Sequence, residues 1–366
     1  LLYSVIARYA LHTGMAGNQK AVVREVFSSS TAVAIPDLPS HLNALVNNLQ
    51  LVWPVDINEL ISTYTLATIY LPFLSPQQAT KIVRSMRSNS GGNIHTRSGI
   101  AASAIKQPIY FRYCPECMKE QLDKYGEPYW RRSHQLPGID FCPRHLCLLE
   151  SSSIHFHSKK KHLFVSVADV QLKSAFRGRE VTPIESALHA RYVELLCYRQ
   201  LEGLGVNRWT MFYRNLAAEL GLIRKSRVDH REIHQLLKKI WSGTVYQALF
   251  QSSIEPNWLK NLFRKHRKSF HPLKHLLVTT ALIPDTSVRQ ILEKVHRLPD
   301  KPLEANSMHT MVSSNLSDSR KRRRIWRELV KLHPESGVKA LRGVTPGGAT
   351  YAWLYRHDRQ WLMANK

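Results

Sequence analysis

This sequence predicts a mainly α-helical, multi-domain protein, and three observations predict it. The chain has 366 residues, enough for two or three domains of about 150 residues each. Over most of that length apolar side chains recur three and four residues apart, the spacing of one helical face. One stretch, residues 108–165, breaks the pattern: it is aromatic-rich and holds four of the five cysteines. The expected order is a helical region over 1–105, a small cysteine-bearing lobe over 106–180, a helical region over 181–315 and a helix-turn-helix-like segment over 316–366.

Each element has its own signal. Leu2, Ile6, Tyr9 and Ala10 share a helical face at the start. Pro36 and Pro39 break the chain before His41–Leu45, and Asn58–Tyr70 is another apolar-periodic run, closed by Pro72. Ser75-Pro76 opens a helix through Met86, with serine as N-cap and proline where its missing N–H is not needed. Ser88–Gly92 reads as a polar loop and Ser158–Lys161 as a solvated one. From Thr182 the chain reads helical again; Ala187–Leu204 is apolar-periodic, with Cys197 expected inside it as a core thiol. Ser313–Arg324, polar and then strongly basic, reads as a linker ahead of Trp326.

Charge narrows the function. Fifty-two Lys and Arg against twenty-seven Asp and Glu leave +25, with a pI near 10.1. Such an excess points to a polyanionic partner, most commonly nucleic acid, ahead of an acidic protein or a lipid surface. Gly and Pro are too scarce for a fibrous or low-complexity chain. No run of about eighteen apolar residues is present to span a membrane. Five cysteines are too few, and odd in number, for a secreted disulfide framework. A basic protein of the cell interior is expected. The chain opens on Leu1 rather than Met, which suggests an N-terminal trim.

The strongest local motif is Cys114-Pro115-Glu116-Cys117 followed by Cys142-Pro143-Arg144-His145. Two pairs, each with two residues between ligands, form two tight turns that aim four donors at one point. Three thiolates and one imidazole suit a structural Zn2+ and leave no open position for a reacting water. Tyr113, Tyr129, Trp130 and Phe141 are expected to pack the lobe. Cys147 reads as packing, since using it in place of Cys142 would lose a turn. His134 has no partner two or three residues away.

Three segments combine bases with aromatics. Leu216–Leu222 resembles the first helix and turn of a helix-turn-helix, with Arg224, Lys225 and Arg227 near a bound duplex and His230–Trp241 as the second helix. Trp258–Leu277 carries Lys260, Arg264, Lys265, Arg267, Lys268 and Lys274 and no acid; on one helix these would face phosphates. The C-terminal segment offers two short helices, Trp326–Leu332 and Gly337–Leu341, then a long aromatic helix Ala349–Met363 with Tyr351, Tyr355, Arg356 and Arg359. Upstream, Arg320, Lys321, Arg322 and Arg323 could track a backbone or enter a minor groove. Arg264 and Arg267 echo Arg356 and Arg359, each pair being aromatic-Arg-x-x-Arg.

These residues resemble a known family. Phe111–Cys117, Tyr125–Trp130, Leu136-Pro137 and Cys142–His145 are similar to the zinc-binding region of TniQ proteins, and Leu2–Arg8 with Leu38–Leu42 to their opening. Trp258–Phe270 and Tyr351–Leu362 resemble the longer TnsD branch, the target selectors of Tn7-like bacterial transposons. The resemblance implies a non-enzymatic, sequence-specific binder of double-stranded DNA. It would recognise a chromosomal attachment site and recruit an AAA+ ATPase regulator (TnsC-like), which then brings in the transposase. It also implies that the zinc pairs map onto Cys114, Cys117, Cys142 and His145, that the N-terminal part meets the ATPase, and that the TnsD-like part reads DNA. Members of that branch usually continue past the Tyr-Arg-His-Asp-Arg motif, so the C-terminal region is expected to be truncated here.

Other readings fit less. A TniQ adaptor riding on an RNA-guided CRISPR effector complex would not need two basic segments. A zinc hydrolase would need an open metal position and a carboxylate base. An ordinary transcription regulator rarely carries so large a zinc-containing N-terminal region. No Walker-type glycine-lysine loop is present, so nucleotide hydrolysis is not expected from this chain. No small-molecule substrate or membrane partner is expected.

Overall fold

The computed structural model describes residues 1–89, 91–100, 103–170, 180–301 and 316–365, without the side chains of residues 169, 316–321 and 357. These residues divide into two compact units, Leu1–Lys301 and Pro302–Lys366. Among them no helix is long and apolar enough to cross a membrane.

The first unit is helical with two small two-stranded sheets among its described residues. Helix Leu2–His12 buries Leu2, Ile6 and Ala10 as its spacing predicts. The Asn58–Tyr70 run is two helices, Ile57–Tyr64 and Ala67–Tyr70, because the Thr65 hydroxyl donates back to the Ile61 carbonyl and Thr65 leaves helical backbone. Helix Pro76–Arg87 starts at a full capping box between Ser75 and Gln78. Helix Pro183–Leu196 has the same device in Thr182 and Glu185. That helix stops earlier than predicted, and Cys197 is exposed at its C-terminal cap rather than a core thiol. The reason lies in the last carbonyl: Leu196 O accepts from the Thr68 hydroxyl at 3.1 Å and from Arg132 at 3.2 Å, which ties the helix end to the N-terminal segment.

Helix Pro272–Leu282 is buried on nearly every side and sits at the centre, against Pro183–Leu196. One connected apolar cluster runs from Leu2 through Phe111 and Trp130 to Trp209, Leu277 and Val295. The segments 1–105, 106–170 and 180–301 therefore share a core. The join is close at Gly203, where a Cβ would stand 2.5 Å from Ser75 O and 2.7 Å from Leu74 O. Beside it the Trp209 indole donates to Pro72 O at 2.9 Å.

One sheet pairs Tyr110–Tyr113 with Glu150–His155, antiparallel. Arg112 is buried beneath it and donates to Leu136 O at 2.8 Å, to Ile139 O and to Asp140 at 3.1 Å. Gln135 bonds both backbone groups of Arg112. Trp130 donates from its indole to Val165 O, and its backbone N–H to the Ser4 hydroxyl. The cysteine-bearing lobe is thus stitched to the first helix.

The second unit has its own core of Trp326, Leu329, Leu341, Leu354 and Leu362. The first helix among its described residues is Leu316–Leu332, so Leu316–Arg324 is helical rather than the expected linker; Ser313–Asn315 lie outside the described residues. Alternation of Arg322 and Arg323 with the buried Trp326 on successive turns explains this, since the basic run shares a helix with core residues. Val338–Gly343 follows. The predicted long helix is two, Gly347–His357 and Arg359–Ala364, with Asp358 in non-helical backbone between them.

A candidate metal centre and a basic surface

Cys114 is the N-cap of helix Pro115–Tyr125, its sulfur accepting the Cys117 N–H at 3.4 Å. Proline at the first helical position holds that turn, which places both thiols on one side. The second pair sits in the turn after Phe141, where Cys142 N–H donates to Cys147 O at 2.8 Å and Leu146 takes a left-handed backbone. The two turns face each other. Donor atoms of Cys114, Cys117, Cys142 and His145 all lie within 4.8 Å of one another. The Nδ1 of His145 is 3.3, 3.4 and 3.7 Å from the sulfurs of Cys114, Cys117 and Cys142. Cys117 and Cys142 sulfurs are 3.6 Å apart. Tetrahedral bonds of about 2.3 Å to sulfur and 2.0–2.1 Å to nitrogen put neighbouring donors roughly 3.5–3.8 Å apart. The four residues therefore fit a bound metal ion, with three buried thiols and a half-buried imidazole.

The surroundings support the same set. His145 turns its other ring nitrogen, Nε2, to Glu120 at 3.0 Å, and Glu120 also pairs with Arg144 at 3.1 Å. A carboxylate behind a ligating histidine holds the ring's tautomer and orientation. Cys147 comes nearer than the sequence implies: its sulfur is 3.4 Å from Cys114. It lies outside the four-donor group, and burial, then Cys114, pushes its thiol up. His134 is buried beside Cys142, outside the four-donor group; burial lowers its imidazole and the Cys142 sulfur draws it back up.

The basic segments are placed differently from the sequence reading in two respects. Between helices Val206–Glu219 and His230–Ile240 lies a tight hairpin, Ile223-Arg224 paired with Arg227-Val228, with Lys225 and Ser226 both at positive φ. Lys225 and Arg227 project from it, exposed. Arg224 is occupied by Asp229 at 2.8 Å and Glu232 at 3.6 Å.

Trp258–Leu277 is not one basic helix. Helix Asn257–Arg264 ends at Arg264, Lys265 is extended, and a new helix begins at Pro272. The cause is His266, which is buried: its N–H donates to the Thr210 hydroxyl at 2.9 Å and its Nε2 meets Leu262 O at 2.8 Å. Pulling His266 inward turns its neighbours outward. Arg264, Lys265, Arg267 and Lys268 are all exposed, and none makes an ion pair among the described residues. Lys260 does, with Glu255 at 3.0 Å, an acid just upstream of the acid-free run. Burial, then Arg264 and Lys260, holds the His230 imidazole below its usual range.

In the second unit the bases lie on aromatic rings. Arg322 stands over Trp353 at 5.9 Å, Arg323 over Trp361 at 5.3 Å, and Arg359 over Tyr355 at 4.8 Å. Tyr351 and Tyr355 stack at 6.0 Å. Arg356 bonds the Ala352 carbonyl, and Arg323 is paired with Asp358. Side chains of Arg320 and Lys321 lie outside the described residues. In both aromatic-Arg-x-x-Arg motifs the chain leaves its helix between the two arginines.

Comparison with known proteins accounts for both parts. Residues 1–149 match the TniQ family, and residues 189–303 and 286–366 match the family described as Tn7-like transposition protein D. The chain is 32% identical over 369 aligned residues to "Transposon Tn7 transposition protein TnsD" of Escherichia coli, covering 99% of this chain and 71% of that protein. Proteins of these families are targeting proteins, not enzymes. From its cysteine turns to its basic connector, the chain belongs to the TnsD-like branch of the TniQ family of transposition proteins.

Proposed function

We propose that this protein selects the target for transposition by binding a chromosomal attachment site directly and recruiting an AAA+ ATPase regulator, and through it the transposase. The observation that carries the reading is the 32% identity to a Tn7 transposition protein, TnsD, spread over nearly the whole chain. The exposed bases of the connector, Arg264, Lys265, Arg267 and Lys268, supply the phosphate-facing charge, and the hairpin's Lys225 and Arg227 extend it. In the second unit Arg356 and Arg359, backed by Tyr351 and Tyr355, form the other DNA-facing group. The ion in the Cys3His group is Zn2+: three thiolates and an imidazole with no free position match its structural chemistry. Bound there, it cross-links the turn before helix Pro115–Tyr125 to the turn after Phe141. The site of action is the bacterial nucleoid.

The test is a footprint of the purified protein on bacterial genomic fragments at physiological salt with excess competitor DNA. One protected site spanning several helical turns supports direct selection. Salt-sensitive binding without a preferred site overturns it in favour of an adaptor whose target is chosen by a partner such as an RNA-guided complex.

A further inference from the structure

A second group of metal-ligating side chains lies apart from the cysteines. Asp37, His95 and His157 bring one carboxylate oxygen and two imidazole nitrogens within 4.8 Å of one another. They come from three separate stretches: the irregular segment before helix Leu42–Leu49, the short helix Ile94–Arg97, and the chain just past strand Glu150–His155. Asp37 is fully buried, and its Oδ1 accepts the Leu38 N–H at 2.9 Å. The Nε2 of His95 is 2.9 Å from both carboxylate oxygens. The Nε2 of His157 points at the same carboxylate from 4.0 Å, beyond hydrogen-bond reach. The two imidazoles meet edge to face at 5.3 Å.

A buried carboxylate needs a compensating cation. No lysine or arginine pairs with Asp37 among the described residues; the charged groups facing it are these two histidines. A proton on His95 alone meets that need but leaves the convergence of His157 without a use. We propose that Asp37, His95 and His157 form a second metal site, for a divalent transition ion of the kind that takes imidazole and carboxylate ligands, such as Zn2+ or Co2+. Bonds of about 2.0–2.2 Å place neighbouring ligand atoms roughly 3.3–3.5 Å apart. The observed separations of 2.9 and 4.0 Å lie on either side of that spacing. Small rotations of two partly exposed rings about a fixed, buried carboxylate close the site. Two imidazoles in the set disfavour Mg2+ and Ca2+, which prefer all-oxygen shells. Three protein ligands leave a position for water, on the open side where His157 reaches solvent. Such an ion would pin three segments far apart in sequence on the face of the first unit where Ala34 N–H already bonds Lys161 O.

Cobalt(II) tests this on the full chain, because it reports the two sites by different signals. The protein is stripped with a chelator, reloaded with Co2+ and assayed for metal per chain alongside its absorption spectrum. Wild type is expected to hold two ions, one giving the intense near-ultraviolet bands of thiolate-bound cobalt and one giving weak visible bands only. His157→Ala, at the half-exposed end of the site, and His95→Ala are each expected to keep the thiolate bands and bind the other ion at least tenfold more weakly. Circular dichroism checks that both variants fold. A single ion in wild type, carried by the thiolate bands, overturns the proposal and leaves a bare His95–Asp37 ion pair. Two ions unaffected by either histidine variant overturn it as well.

Discussion

Glu120 accepts from His145 Nε2 at 3.0 Å while the Nδ1 of the same ring faces three sulfurs at 3.3 to 3.7 Å. One side chain thus spans the four-donor group and the outer face of helix Pro115–Tyr125. The carboxylate selects the tautomer that leaves Nδ1 free to ligate. Glu120→Ala is expected to weaken metal binding by about 10–100-fold without unfolding the lobe. A competition titration against a chromophoric chelator measures it, and unchanged affinity would mean that Glu120 does not orient the His145 ring.

Arg264 and Arg267 carry no ion pair among the described residues, whereas Lys260 is engaged by Glu255. If Arg264 contacts a phosphate, Arg264→Ala should lower DNA affinity for all sequences alike and reduce the slope of log K against log salt by about 1. If it contacts a base edge, affinity should fall by about 1–3 kcal/mol at the specific site alone. Lys260→Ala should do less in either case. Binding isotherms at three salt concentrations separate these outcomes.

Arg191 is buried, and one of its terminal nitrogens donates to Ile283 O, Pro284 O and Thr286 O at 2.6, 2.8 and 2.6 Å. It closes the C-terminus of the central helix Pro272–Leu282. Arg191→Ala orphans three carbonyls, and about 2–4 kcal/mol of stability should go with it. Urea unfolding read by circular dichroism gives the value; a loss below 0.5 kcal/mol, roughly the surface-mutation range, would contradict this account.

Trp326 is buried in the small core of the second unit, its indole donating to Asn365 O at 3.0 Å. Trp326→Ala should cost that unit about 3–5 kcal/mol. Because the first unit has a separate core, limited proteolysis should then leave a stable fragment ending near residue 301. Loss of the whole chain to protease would mean that the units do not fold independently.

Acid should destabilise the first unit through its buried histidines. Burial holds His189 and His266 down to about 4 and His271 down to about 3, and lowers His275 well below the usual range. The unfolded chain takes up their protons near pH 6.5, whereas the folded chain takes up those of His189, His266 and His271 only near pH 3–4 and that of His275 only well below the usual range. Stability is therefore whole above pH 6.5 and declines as pH falls from there toward 4, by up to about 1.4 kcal/mol per pH unit for each such histidine. His95 opposes this, its imidazole being raised by Asp37 against the effect of burial, but it is one group against four. Urea midpoints at pH 7.5, 6.0 and 5.0 should fall steadily. A flat profile would exclude the buried neutral histidines.

Local chemistry was legible in the sequence. The spacing of Cys114, Cys117, Cys142 and His145 already required two tight turns, and such turns are set by a few adjacent residues. Ser75-Pro76 announced its helix for the same reason, since a cap is satisfied within three residues, and the structure shows the same device at Thr182-Pro183. The family resemblance rested on these short motifs too. Tertiary structure decided what depended on distant partners. Helix Pro183–Leu196 ends where Thr68 and Arg132 take its last carbonyl. The basic run leaves its helix because His266 finds Thr210. Lys260 and Arg224 lose their freedom to acids that no charge count along the run reveals. Asp37, His95 and His157, separated by up to 120 positions, have no spacing rule at all; only the fold brings a buried carboxylate to two imidazoles. Hydrogen bonds and burial over short range write themselves into adjacent residues, whereas desolvation and pairing across the core depend on what the rest of the chain delivers to the same place.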